Sequence, residues 1–306
     1  MAELGFLGNA AELRDFCSFM VIYNPKDWWK LILSFHRSDT FRIMLPGILG
    51  IAVFTFAVVY IELGVMHISF KNTTTIHAMV GFVLSMLLVF RTNTAYDRWW
   101  EGRKAWGSFV NNSRNLGSKL SVFVADAATR GRLRILIQNY IFAVKEHLRD
   151  GVKASQLEDC DRYTADELMQ SSHVPNRIMQ LLMRELNELV EQKKLSHEQL
   201  LILNPELQSF ADNLGVCERI KKTPIPYSYS IFLKKIIFIY IASMPFGFAM
   251  EFGYWSVFIV SMLFYIFASI ELIAEEIEDP FGLDDNDLPT DQISMTIREN
   301  LDEIMR

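Results

Sequence analysis

The side chains best suited to chemistry gather near the C-terminus. Glu275, Glu276, Glu278, Asp279, Asp284, Asp285 and Asp287 surround a Pro280-Phe281-Gly282 turn. Carboxylate oxygens are hard donors, and a set of this density suits Ca²⁺. The stretch lacks the alternating ligands and central glycine of an EF-hand loop. It also reads as a solvated acidic run closing a helix, and spacing alone does not choose between the two. Catalytic patterns are weaker. His36, His67, His77, His147, His173 and His197 are scattered, and His197-Glu198 is followed by Leu201 where a metalloprotease would carry its second histidine. No GxSxG element occurs, so the chain reads as a non-enzyme. Cys17, Cys160 and Cys217 lack CxxC spacing and are odd in number, which excludes a disulfide framework or zinc site built from them and predicts reduced thiols.

A second kind of chemistry, the passage of ions, is suggested by Ile76 to Phe90. This uncharged run stops at Arg91 and is followed by Arg98, Trp99, Trp100, Arg103, Lys104 and Trp106. Aromatic rings favour the membrane interface, and Lys and Arg mark its cytoplasmic side. The run holds about 15 residues, or roughly 22 Å of α-helix, whereas a lipid-exposed span needs about 20. A short helix flanked by Thr73, Thr74, Thr75 and Asn93 fits beside water or inside protein. Plotted as a helix, Ala78, Gly81 and Ser85 share one side, where small residues allow close approach. Thr75, Met79, Val83, Met86 and Phe90 share a neighbouring face. That face is either ordinary packing or, around an axis of several subunits, a set of apolar rings that gate by dewetting.

These elements need a membrane scaffold. Apolar segments run from about Ile43 to Ile61, Ile76 to Phe90, Ile236 to Met250 and Phe252 to Ile270, and pair as two hairpins. The long polar region between them and the residues near the helix ends carry Arg91, Arg98, Arg103, Lys104, Lys221, Lys222, Lys234 and Lys235, so the middle region and both termini are expected in the cytoplasm. The absence of a transit peptide favours a bacterial inner membrane. The predicted organisation is an N-terminal cytoplasmic segment over 1–40, a first transmembrane hairpin over 41–91, a cytoplasmic helical region over 92–230, a second hairpin over 231–273 and an acidic cytoplasmic segment over 274–306. Helical spacing predicts helices over Leu133–Leu148, Asp166–Lys193 and Glu198–Ile220, with Pro175 and Pro205 as punctuation. Pro245 in the third span is either a tolerated membrane proline or a hinge. Composition agrees: 51% of the 306 residues are hydrophobic, and the mean hydropathy of +0.16 suits a mixed membrane and soluble chain. The net charge of −6 argues against nucleic acid as a partner. No signal peptide is expected, because Asp15, Asp27 and Asp39 interrupt the N-terminal stretch.

Arg91, Tyr96, Arg98, Trp99, Trp100 and Glu101 after an apolar helix, Ile225-Pro226-Tyr227 opening the third span, and Asp279-Pro280-Phe281-Gly282 with Asp284, Asp285, Asn286 and Asp287 after the fourth resemble the bestrophins. The resemblance runs through nearly the whole chain, in order, and is closest to the prokaryotic branch. It implies an all-α polytopic membrane protein with four transmembrane helices per subunit and a cytoplasmic helical body, assembled as a homopentamer around one central pore. It implies small monovalent ions as the permeant species, membrane lipid and further copies of the chain as partners, and no required cofactor. A hydrophobic neck then falls on Thr75, Met79 and Val83, or, with the register slipped by one, on Ile76, Val80 and Leu84. A cytoplasmic constriction falls near Leu200, Leu201, Ile202 and Leu203. The Ca²⁺ ligands of the animal members map to Glu276, Asp279, Asp284 and Asp287, with extra negative charge at Glu276 and Asp279, and prokaryotic members need not keep the calcium control. That charge either strengthens cation binding or pairs with basic residues without Ca²⁺. Animal and plant members conduct chloride and related anions, and prokaryotic members can prefer monovalent cations such as Na⁺ and K⁺. The acidic balance leans towards cations here. The competing readings are a membrane-anchored enzyme or regulator using the helical body, for which no constellation is visible, and a secondary transporter, for which four spans are few.

Overall fold

A computed structural model describes residues 39–66 and 73–306, and among these it contains helices and no strand. The N-terminal segment expected over 1–40, Cys17, His36, His67 and Lys71 lie outside the described residues, apart from the segment's last two positions. Helix α1 covers Asp39–Tyr60 and runs on into a π-helical stretch, Ile61–Met66. Helix α2, Thr73–Phe123, is continuous for 51 residues. Helix α3 is Ala127–His147, α4 is the single turn Ala165–Leu168, and α5 is Val174–Glu191. Helix α6 is His197–Lys222, α7 is Tyr227–Phe252, α8 is Trp255–Glu278 and α9 is Thr290–Ile304. Among the described residues, four helical stretches are long and apolar enough to cross a membrane: Thr40–Val65, Thr75–Phe123, Tyr227–Phe252 and Trp255–Glu278.

Local sequence explains four helix starts. Asp126 accepts from the Thr129 backbone N–H and so begins α3. Thr164 with Glu167, and Ser196 with Gln199, form reciprocal capping boxes at α4 and α6. The single helix expected over Asp166–Lys193 is interrupted between α4 and α5. His173 caps α5 through its Nδ1, which accepts from the Asn176 N–H at 3.2 Å, and Pro175 occupies the first turn, where its missing N–H is harmless. Pro205, expected as punctuation, instead lies inside α6. It removes one ladder bond, and the helix is carried through by burial of Leu203, Leu207 and Phe210 on either side. Helix α7 likewise continues through Pro245 and ends at Gly253, whose φ of +56° is a conformation glycine adopts readily.

The chain forms two compact units. One comprises residues 39–66 and 73–98 with Pro224–Glu278. Its core joins Leu84 and Leu88 of α2 to Leu233, Ile237, Tyr240, Ile241 and Met244 of α7 and Val260 of α8. Helix α1 packs on α8, where a Cβ at Gly47 would stand 3.0 Å from the Phe264 ring. Large apolar side chains such as Val53, Phe82, Phe238 and Trp255 point away from this core and are exposed, as expected of surfaces made for lipid or for other copies. The other unit comprises Trp99–Thr223 with Asp279–Arg306. Its core is centred on Trp106, Phe109, Tyr140 and Phe210. Tyr140 stacks on Phe210 at 5.3 Å and donates its hydroxyl to the Phe210 carbonyl at 2.9 Å. Burial pushes that phenol well above its ordinary pKa. Cys217 is buried in the same core, and its thiol is pushed up to about 12 by burial, which makes it unreactive.

Candidate pore-lining face and acidic turn

Packing fixes the rotation of α2 about its axis. His77, Gly81, Leu84 and Leu88 follow an i, i+4, i+7, i+11 pattern, so they share one face. The Tyr240 hydroxyl donates to the His77 carbonyl at 3.2 Å, and His77 Nε2 lies 3.2 Å from Ser243 Oγ. A Cβ on Gly81 would fall 2.5 Å from the Tyr240 hydroxyl, so a larger residue there would displace the Tyr240 side chain. Of the small residues Ala78, Gly81 and Ser85, only Gly81 serves close packing, while the other two are exposed. Thr75, Met79, Met86 and Phe90 lie opposite the packed face at about 100° per residue, with Val83 about 50° to one side. Met79 is 67% and Val83 56% exposed, and Thr75 is exposed too. In the slipped register Ile76 and Val80 are also exposed, but Leu84 is 0% exposed within its own subunit.

At the end of the apolar run Arg91 is not in an open collar. It is 1% exposed and pairs with Glu278 Oε2 at 2.7 Å. The other Glu278 oxygen accepts from the Ile225 N–H, and Arg98 Nε donates to the Glu278 main-chain carbonyl at 3.0 Å. A carboxylate at a helix C-terminus is opposed by the helix dipole, and the two guanidinium groups offset that penalty. Glu278 therefore ties the last turn of α8 to α2 and to the start of α7.

The acidic residues fall into separate tasks. Phe281 is buried against Gly102 and Leu288, and a Cβ on Gly102 would stand 3.1 Å from its ring. Asp287 Oδ2 accepts from the Asp284 N–H at 2.8 Å, and Leu288 N–H donates to the Pro280 carbonyl at 2.9 Å, which closes the turn. Asp279 pairs with Lys221 at 2.6 Å. Asp284 is exposed, and Glu276 is half-buried at the end of α8. Of the four residues read as Ca²⁺ ligands, Asp279 thus pairs with a lysine through Oδ2 and Asp287 holds the turn's own backbone. Among the four, Asp279 has a basic partner, Lys221. Asp291 extends that pattern, since it accepts from Lys145 at 2.7 Å and from Arg149 at 2.7 Å and 3.2 Å. Burial alone would raise its pKa, but Arg149 and Lys145 outweigh it and hold the carboxyl below the usual range. A carboxylate depressed in the folded state contributes stability above its unfolded pKa of about 3.9 and loses it as pH falls through the folded value. Asp291→Asn is therefore expected to lower the melting temperature at neutral pH and to shrink the fall in melting temperature between about pH 5 and pH 2. An unchanged acid limb would show that Asp291 is not a contributor.

The segment expected at a cytoplasmic constriction lies in the first two turns of α6. Leu203 is 0% exposed and belongs to the core, and Leu200 is half-buried, whereas Leu201 and Ile202 are exposed. Lys119 donates to the Ile202 carbonyl at 2.9 Å and to Glu206 at 2.6 Å, which fixes that turn. Only Leu201 and Ile202 could present apolar side chains to a pore.

Residues 20–303 match the family model described as "Bacterial/Fungal Bestrophin protein". The chain belongs to the bestrophin family. This bestrophin is 41% identical over 233 residues to the voltage-dependent anion channel-forming protein alr2987 of Nostoc, covering 73% of this chain and 75% of that one. It is 29% identical to the voltage-dependent anion channel-forming protein YneE of Escherichia coli K12, covering 92% and 93% respectively. Among solved structures, a bacterial bestrophin homologue from Klebsiella pneumoniae superposes with a TM-score of 0.78 at 26% identity, covering 86% of this chain and 98% of that one. Sequence reasoning about this bestrophin missed two features. Glu278 was grouped with the acidic run, and its pairing with Arg91 has no local signal because the partners are far apart. The histidines look scattered along the sequence, yet His147 and His173 converge on Glu218, which carries no signal of its own there.

Proposed function

We propose that this bestrophin is a passive channel for small monovalent ions, formed by five copies around a central pore lined by α2. The observation that carries this reading is the split between the two faces of α2. One face is locked to α7 by Gly81, Leu84 and Leu88, and the opposite face presents Thr75, Met79, Val83, Met86 and Phe90 unpacked by their own subunit. The neck is Thr75, Met79 and Val83. The slipped register would ask Leu84, which is buried in its own subunit, to line the pore. Leu201 or Ile202 forms the cytoplasmic constriction. The relatives' names as channel-forming proteins support a channel over an enzyme or regulator.

The neck carries no formal charge, so it does not choose the sign of the ion. The relatives are named for anions, and the acidic composition of this chain leaned towards cations. That lean loses weight because Asp279 and Asp291 are neutralised by Lys221, Lys145 and Arg149. No step of this reading runs through Ca²⁺. Basic residues near the helix ends support cytoplasmic termini, and the bacterial relatives support an inner-membrane location. Two measurements test the reading. The mass of the detergent-solubilised assembly should equal five chains, and purified protein in vesicles should dissipate a salt gradient without an energy source. A monomeric particle, or vesicles as tight as protein-free ones, would count against it.

A further inference from the structure

We propose that His147, His173 and Glu218 form a site for a divalent transition-metal cation of the Zn²⁺ type, independent of the pore. The three residues come from three helix ends within one compact unit. His147 is the last residue of α3, His173 is the N-cap of α5, and Glu218 lies in the last turns of α6. His147 Nε2 is 2.6 Å and His173 Nε2 2.8 Å from the same oxygen, Glu218 Oε1. The imidazole ring centroids are 4.4 Å apart, and the three ligand atoms lie within 4.8 Å of one another. Among the described residues this is the one trio of ligand-type side chains drawn so close. The side chains are 21–27% exposed, so solvent reaches the cluster.

The donor chemistry selects the metal class. Two imidazoles and one carboxylate suit Zn²⁺, Co²⁺ or Ni²⁺, whereas Ca²⁺ and Mg²⁺ prefer all-oxygen shells. Glu218 supplies the carboxylate of this set, and its Oε1 already faces both imidazoles. Lys222 is 3.5 Å from the second carboxylate oxygen, and as a largely exposed side chain it can swing into solvent. Tetrahedral Zn²⁺ with bonds of about 2.0–2.1 Å sets its donors roughly 3.3 Å apart, so each histidine nitrogen must draw back from Glu218 Oε1 by roughly 0.5–0.7 Å. In the metal-free form His173 Nδ1 accepts from Asn176 N–H, which places the ring proton on Nε2, facing Glu218. Metal binding takes that Nε2 lone pair, moves the proton to Nδ1 and releases the Asn176 N–H to solvent. One cap is exchanged for a bond that ties α3, α5 and α6 together.

The test uses the full-length, tag-free protein in detergent after chelation. Zn²⁺ is expected to bind once per chain at micromolar concentration and to raise the melting temperature, whereas Ca²⁺ has no such effect. Co²⁺ should give the visible bands of a tetrahedral site. His147→Gln and His173→Asn should each abolish the Zn²⁺ shift and the Co²⁺ bands. Asn is a good N-cap, so His173→Asn keeps the start of α5 and should melt like the wild type without metal. If the wild type takes up no Zn²⁺, the trio is only a hydrogen-bonded clamp. If both variants retain the shift, the metal sits elsewhere. Either result overturns the proposal.

Discussion

Replacing Met79 and Val83 together by alanine is expected to raise single-channel conductance several-fold. Both side chains project from the face of α2 opposite the one gripped by Tyr240 and Ser243 of α7. Rings of Met and Val around an axis make a constriction that excludes water, and ions do not cross a dry stretch readily. Alanine shortens both rings, so the constriction widens and stays wet. The substitutions touch no buried contact within the subunit, and the melting temperature of the assembly should change little. Val80→Ala on the flank of this face serves as the control and should alter conductance less. Equal currents from the double variant and the wild type would remove Met79 and Val83 from the neck.

Glu278→Gln is expected to be the most destabilising single substitution at the membrane unit's polar end. The amide keeps an acceptor for the Ile225 N–H but leaves the Arg91 guanidinium buried without its counter-charge. Removing one partner of a buried ion pair costs about 3–5 kcal/mol, a fall in melting temperature on the order of 10 °C. Coupling Glu278→Gln with Arg91→Met removes the stranded charge as well, so the double variant should melt above the single one. The non-additivity of the cycle measures the pair. Singles and double that destabilise additively would mean that the two residues act independently.

The membrane spans were legible because about 15 to 20 consecutive apolar residues have few other uses. Ile76–Phe90 and Ile236–Met250 lie within described helices, Ile43–Ile61 reaches one residue into the π-helical stretch, and Phe252–Ile270 begins on the last residue of α7, ahead of the turn into α8. The helix ends were not. Helix α8 runs to Glu278, past the last apolar residue of its run, because Glu271 and Glu275 meet Lys234 and Glu278 meets Arg91. Those partners lie far away in sequence, so the charges look like a terminus and act as a continuation. The exposed face of α2 was legible from period alone, but which residues are buried against α7 was not. Deciding between Val83 and Leu84 needs the knowledge that Gly81 sits under Tyr240. Pro205 misled for a related reason, since burial of the surrounding leucines and Phe210 overrides a local breaker. The histidines were opaque: His173 reads as a cap and His147 as a helix end, and only the fold brings both to Glu218.

The measurement that tests the channel most directly is the current across a planar bilayer holding purified protein under a tenfold KCl gradient. A steady current needing no energy source is expected, larger in the Met79→Ala, Val83→Ala variant, with a reversal potential displaced from zero. Reversal towards the Cl⁻ equilibrium potential identifies an anion channel like the named relatives, and reversal towards that of K⁺ identifies a cation channel. A bilayer that stays silent with the wild type and with the widened neck would contradict the account.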